Sequence, residues 1–152
     1  MATTNLIQYT QAGQAGDVMN RQQVETLKAK EAIAAGDWVA FDYAATADGD
    51  VTLGVYKADA NSTPVRTPVG VALDAVGAEE LLRVCISGVC VAQVGDNGGA
   101  GNAIGTILQI TNTAGLADIA AAGSAQPVCG VLAQTVAAGS PGLHRVVVRK
   151  SF

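Results

Sequence analysis

Charge is scarce in this chain, and so are the side chains on which most catalysis depends. Charged residues make up 14% of the 152-residue sequence, against roughly 25% in ordinary soluble domains. They lean acidic, with 13 carboxylates against 9 cationic side chains and a net charge of -4. That balance supplies no basic field to hold a phosphate backbone or an anionic bilayer, so neither nucleic acid nor membrane is expected as a partner. The uncharged stretch 119–143 is broken by Gln126, Pro127, Gln134, Ser140 and several glycines, which argues against a membrane span.

Histidine occurs once, at His144. A Ser or Cys nucleophile needs a positioned base, yet this imidazole sits in an alternating run between Leu143 and Arg145, and no Gly-X-Ser-X-Gly elbow accompanies it. Paired carboxylates occur at Asp48/Asp50 and Glu79/Glu80, in segments that read as solvated turns. Ala47-Asp48-Gly49-Asp50 is a hairpin-turn signature with too few oxygen ligands for calcium. The three cysteines, Cys85, Cys90 and Cys129, lack zinc-knuckle or thioredoxin spacing and are expected as reduced, partly buried thiols. The glycine-rich run 95–102 has no Lys-Ser/Thr pair and opens no helix, so it is read as a flexible connector and not a phosphate loop. The sequence thus predicts a protein that is not an enzyme, with no catalytic residue, cofactor or metal. The start, Met1-Ala2-Thr3-Thr4-Asn5, lacks the basic and apolar regions of a signal peptide, which points to synthesis and retention in a cytoplasm.

Aromatic residues are few and unevenly placed: Tyr9, Trp38, Phe41, Tyr43, Tyr56 and Phe152 leave 57–151 without any. A core of Val, Ile, Leu and Ala must be thin there, as in a small β-barrel. What is abundant is the short apolar or alternating run closed by Gly, Asn, Asp or Pro, the pattern of strands and turns. Such runs fall at 24–29, 38–43, 51–56, 69–74, 81–87, 89–94, 103–111, 128–136 and 143–150. The expected fold is all-β, a small barrel or sandwich of about nine short strands. Residues 114–122 are rich in alanine but too short between Gly115 and Gly123 for a stable helix, and 112–115 read as a turn. The first 23 residues are polar and glutamine-rich, and read as an extended arm ahead of a β-rich domain at 24–152.

A weak repeat runs through that domain. Gly36-Asp37-Trp38-Val39-Ala40-Phe41 resembles Gly105-Thr106-Ile107-Leu108-Gln109-Ile110, and Pro68-Val69-Gly70-Val71-Ala72-Leu73 resembles Pro127-Val128-Cys129-Gly130-Val131-Leu132 with one residue inserted. Leu82-Arg83-Val84-Cys85-Ile86 parallels His144-Arg145-Val146-Val147-Val148. The domain divides on this basis into half-repeats 24–94 and 103–152, joined by 95–102.

With Ala32-Ile33-Ala34-Ala35-Gly36-Asp37-Trp38-Val39, Ser87-Gly88-Val89, the two Gly-Val segments above and the closing run 145–149, the chain resembles the capsid decoration, or cement, proteins of tailed bacteriophages. That resemblance implies a virion protein on the capsid exterior, made in the host cytoplasm. It would bind the major capsid protein of an HK97-type shell as a homo-oligomer, dimer or trimer, and stabilise contacts between capsomers. The arm and the loop 61–68 are the first candidates for contact, through Gln8, Tyr9, Gln11, Gln14, Asn61, Pro64 and Arg66. Two other readings stand beside it: a head-fibre or baseplate component, and a small-molecule or glycan-binding barrel whose pocket would use Trp38, Phe41 and Tyr43.

Overall fold

The computed structural model describes residues 22–41, 53–61, 67–120 and 127–149. It contains nine strands, β1 (Gln23–Ala29), β2 (Trp38–Phe41), β3 (Gly54–Lys57), β4 (Pro68–Ala72), β5 (Leu81–Val94), β6 (Ile107–Ile110), β7 (Ala117–Ile119), β8 (Val128–Leu132) and β9 (Gly142–Val148), and no helix among the described residues. The all-β expectation holds, although the strand number is reached by a different route. The runs 81–87 and 89–94 are one 14-residue strand. Glycine permits this, because Gly88 takes φ +107° inside the strand and turns it without ending it. β7 lies in the alanine-rich stretch, where the sequence predicts no strand.

The strands close into two rings that share β5. β1 pairs with β3, β3 with β2, β2 with β4, β4 with β5 and β5 again with β1. β5 then pairs with β7, β7 with β6, β6 with β8, β8 with β9 and β9 again with β5. The second ring repeats the pairing order of the first. The parallel pair β1/β3 answers to β5/β7, and the register shift at Val39/Ala40 answers to the one at Leu108/Gln109. The isolated bridge Ile33–Val76 answers to Asn102–Val136. Gly36 N–H donates to Ala72 O and Gly105 N–H to Leu132 O, each at 2.8 Å. The chain passes from one ring to the other within β5, near Gly88, where the partners change from β1 and β4 to β9.

The repeated Gly-Val pair of β4 and β8 has a steric origin. A methyl group on Gly70 would overlap the Cys85 carbonyl of β5, and one on Gly130 would stand 2.7 Å from Val147 O of β9. Only a residue without Cβ lets these strands approach so closely.

Burial is divided between two apolar clusters. One fills the first ring with Leu27, Val39, Val55, Leu82, Val84 and Ile86. The other contains Leu108, Ile110, Leu132, Val146 and Val148 of the second ring together with Trp38, Ala40 and Val71 from the outer face of the first. Each large side chain so buried contributes roughly 1.5–3 kcal/mol. The aromatic-free half of the sequence therefore fills its core partly with a tryptophan from the other half.

Candidate functional site

The surface of this protein is organised by the junction between its rings, where Gly36, Asp37 and Trp38 enter the second ring. The peptide groups join first: Trp38 N–H donates to Gly115 O at 3.0 Å, and Gln93 N–H donates to Gly36 O at 2.8 Å. These bonds sit between β5 and β7, which share a single register pair, Val94–Ala117, whereas the corresponding β1/β3 pair has two. The first ring thus wedges the second ring open at this point. The indole is fully buried, donates from Nε1 to Gln93 O at 3.1 Å, and lies against Gly130, where a methyl would come within 3.1 Å of Trp38 Cη2. Gly36, with φ +92°, faces Leu143 so closely that a methyl would overlap its Cδ2.

Asp37 secures the wedge. Its carboxylate accepts Ala34 N–H at 2.9 Å and pairs with Lys57 Nζ at 3.2 Å, while only 7% of the residue is exposed. Beside the junction opens a groove of about 350 Å3, walled by Ala35, Gly36 and Leu73 of the first ring and by Val91, Leu143 and Arg145 of the second. Gln22 reaches into it, donating from Nε2 to Val89 O.

Of the polar groups singled out from the sequence, Asp48 and Asp50 lie outside the described residues, and His144, Glu79 and Glu80 hold turns. His144 Nδ1 accepts from Gln134 Nε2 at 2.8 Å and Nε2 donates to Ser140 O at 2.9 Å, so the imidazole ties the β8–β9 turn to β9. Glu79 takes φ +68° and pairs with Lys28 and Lys30 of the β1 end at 2.5 and 2.8 Å; these two ammonium groups lower its pKa to about 2. Glu80 accepts Gly77 N–H at 2.7 Å. Arg83 forks onto Asp74 at 2.8 and 2.6 Å and lowers the pKa of that carboxyl.

All three thiols are buried and free. Cys85 donates from Sγ to Ser87 O at 3.5 Å, and its neighbour Cys90 lowers the pKa of Cys85 while the Cys90 thiol is pushed up in turn. Burial pushes Cys129 up. No group of three or more metal-ligating side chains occurs among the described residues. The run 95–102 is a tied turn. Asp118 accepts Asn97 N–H and Asn102 Nδ2–H, the latter at 2.9 Å, and Asn102 Nδ2 also donates to Gly95 O at 3.0 Å.

Of the residues proposed as partner contacts, Asn61 is exposed and donates its N–H to Asp59 Oδ1 at 2.8 Å. Gln8, Tyr9, Gln11, Gln14, Pro64 and Arg66 lie outside the described residues. Tyr43 does too, and Trp38 and Phe41 part company: Trp38 belongs to the cluster of the second ring and Phe41 packs against that of the first. Trp38 is fully buried and Phe41 partly so. Sequence reasoning missed the junction and its groove, and the one signal for them was a lone tryptophan ahead of a long aromatic-free stretch.

Two strand rings sharing one long strand define an all-β architecture built from two similar halves. No protein-family model and no curated protein matches this sequence. Among solved structures, the head fiber gp8.5 N base of bacteriophage phi29 is similar, with a TM-score of 0.54 and 17% identity over 84% of this chain and 94% of that chain. The likeness is one of fold.

Proposed function

We propose that this chain is a non-enzymatic structural subunit of a tailed-phage particle, and within that class the base of a head fibre in preference to a cement protein between capsomers. The observation that carries the reading is the fold likeness to a head-fibre base, which spans nearly the whole of that base. The low charge of the chain agrees with a surface that other subunits cover. A base of this kind docks on the major capsid protein at the capsid exterior after synthesis in the host cytoplasm, and works as a homo-oligomer. Its attachment follows mass action, and an oligomer that engages several shell sites at once is held far more firmly than a single subunit.

The test uses particles lacking the protein, to which the purified chain is added back. Saturable co-sedimentation, with projections regained in electron micrographs and an unchanged temperature of DNA release, is the result expected of a fibre base. Delayed DNA release without projections would return the cement reading to first place. Absence of binding to any shell would end both.

A further inference from the structure

Eight large apolar side chains are exposed among the described residues: Val24, Leu53, Leu81, Val91, Ile104, Ile107, Val128 and Leu143. Isolated apolar side chains on a surface are ordinary. These eight are not scattered. Val91 and Leu143 border the groove at the junction of the rings. The other six occupy, in the opposite ring, the places equivalent to those from which the junction is built.

The registers fix the equivalences. Ile107 opens β6 as Trp38 opens β2, and Val128 pairs with Gln109 as Pro68 pairs with Ala40. Ile104 precedes Gly105 as Ala35 precedes Gly36. Within the molecule Trp38 and Pro68 are buried and Ala35 lines the groove, whereas Ile104, Ile107 and Val128 are 65%, 53% and 50% exposed. On the receiving side, Leu81 stands opposite Lys28 as Leu143 stands opposite Gln93, and Val24 matches the groove residue Val89. Leu53 precedes Val55 by the same step as Gly115, the acceptor of the Trp38 N–H, precedes Ala117. Leu81 is 72% exposed, Leu53 48% and Val24 42%.

We infer that this protein associates head to tail with further copies of itself, the face of Ile104, Ile107 and Val128 on one copy packing on the face of Val24, Leu53 and Leu81 on the next. The contact repeats between molecules the packing that already joins the two rings within one. It is made by side chains alone. The slot that Trp38 fills in the second ring is closed in the first, where Lys28 N–H donates to Leu53 O at 2.7 Å. The residue in the place of Trp38 is correspondingly short, Ile107, and needs no slot. Such an interface is heterologous, because the two faces differ, and a closed ring results when the rotation between copies divides a full turn. This inference does not depend on the particle in which the chain works.

Light scattering on the purified chain, with Ile107→Glu and Leu81→Glu variants, tests it. Both side chains are exposed, so the variants are expected to fold, and an unchanged circular dichroism spectrum checks that; Ile104→Glu and Leu53→Glu serve where either fails. The wild type is expected as one species of several times the 15.2 kDa monomer, and each variant as a monomer. Mixing the two variants restores one intact pair of faces, the Ile107 side of L81E with the Leu81 side of I107E, and yields a complex of two chains that grows no further. A monomeric wild type, a variant of undiminished mass, or a mixture that stays monomeric would overturn the proposal, the last in favour of a two-fold interface.

Discussion

Trp38 shows how much of this fold rests on a single side chain. Its indole is fully buried among residues of the second ring although its backbone belongs to the first. Trp38→Ala is therefore expected to leave a cavity at the joint and to cost about 3–5 kcal/mol, read from urea unfolding. Trp38→Phe keeps most of the volume, loses the bond to Gln93 O, and should cost clearly less. The glycine opposite is as exacting in the other direction: Gly130→Ala sets a methyl 2.7 Å from Val147 O and 3.1 Å from the indole, for about 1–3 kcal/mol of overpacking. At the surface, Glu79 gives a pH dependence of defined sign. Its pKa is about 2 in the folded chain against an ordinary 4.5. The stabilisation is fully present above about 4.5 and is lost as the pH falls through about 2. Unfolding midpoints of wild type and Glu79→Gln should accordingly converge on acidification through that window; parallel curves would show that the pair with Lys28 and Lys30 contributes nothing.

Strands were legible in the sequence wherever an apolar run and a Gly or Pro boundary coincided, as for β4, β8 and β9. The exceptions are physical. β7 consists of three residues in alanine-rich sequence, and it is a strand because β6 supplies partners for all three. β5 reads as two strands because a glycine interrupts its side-chain pattern, but a positive φ at Gly88 keeps the ladder running. The turn 95–102 reads as loose because its composition is, and its order comes from Asp118, 16 residues beyond Asn102. Asp118→Ala should release that turn: faster amide exchange at 97–102 is expected, with a loss of about 1–3 kcal/mol for buried donors left without an acceptor. Unchanged exchange would mean that the bonds to Asp96 and the glycine conformations hold it without Asp118. The junction was the least legible feature of all, since it joins Gly36, Trp38, Gln93, Gly115 and Gly130, which no local window brings together.

At the scale of the whole molecule, the two rings are alike in pairing but cannot be separated without loss. β5 supplies a strand to both, so removal of either ring leaves half of β5 without its ladder. The apolar cluster of the second ring also includes Trp38, Ala40 and Val71, which would face water if that ring opened. Opening one ring thus costs the intact ring part of its own burial, and partly opened states lie high in free energy. A single cooperative transition is expected, with equal calorimetric and van't Hoff enthalpies. The most protected amides of β2 and β9 should exchange through the same global opening and at the same free energy, although these strands belong to different rings. Two resolved transitions, or a β9 that exchanges well below the limit set by β2, would mean that the rings fold on their own and that the tryptophan wedge joins two independent units.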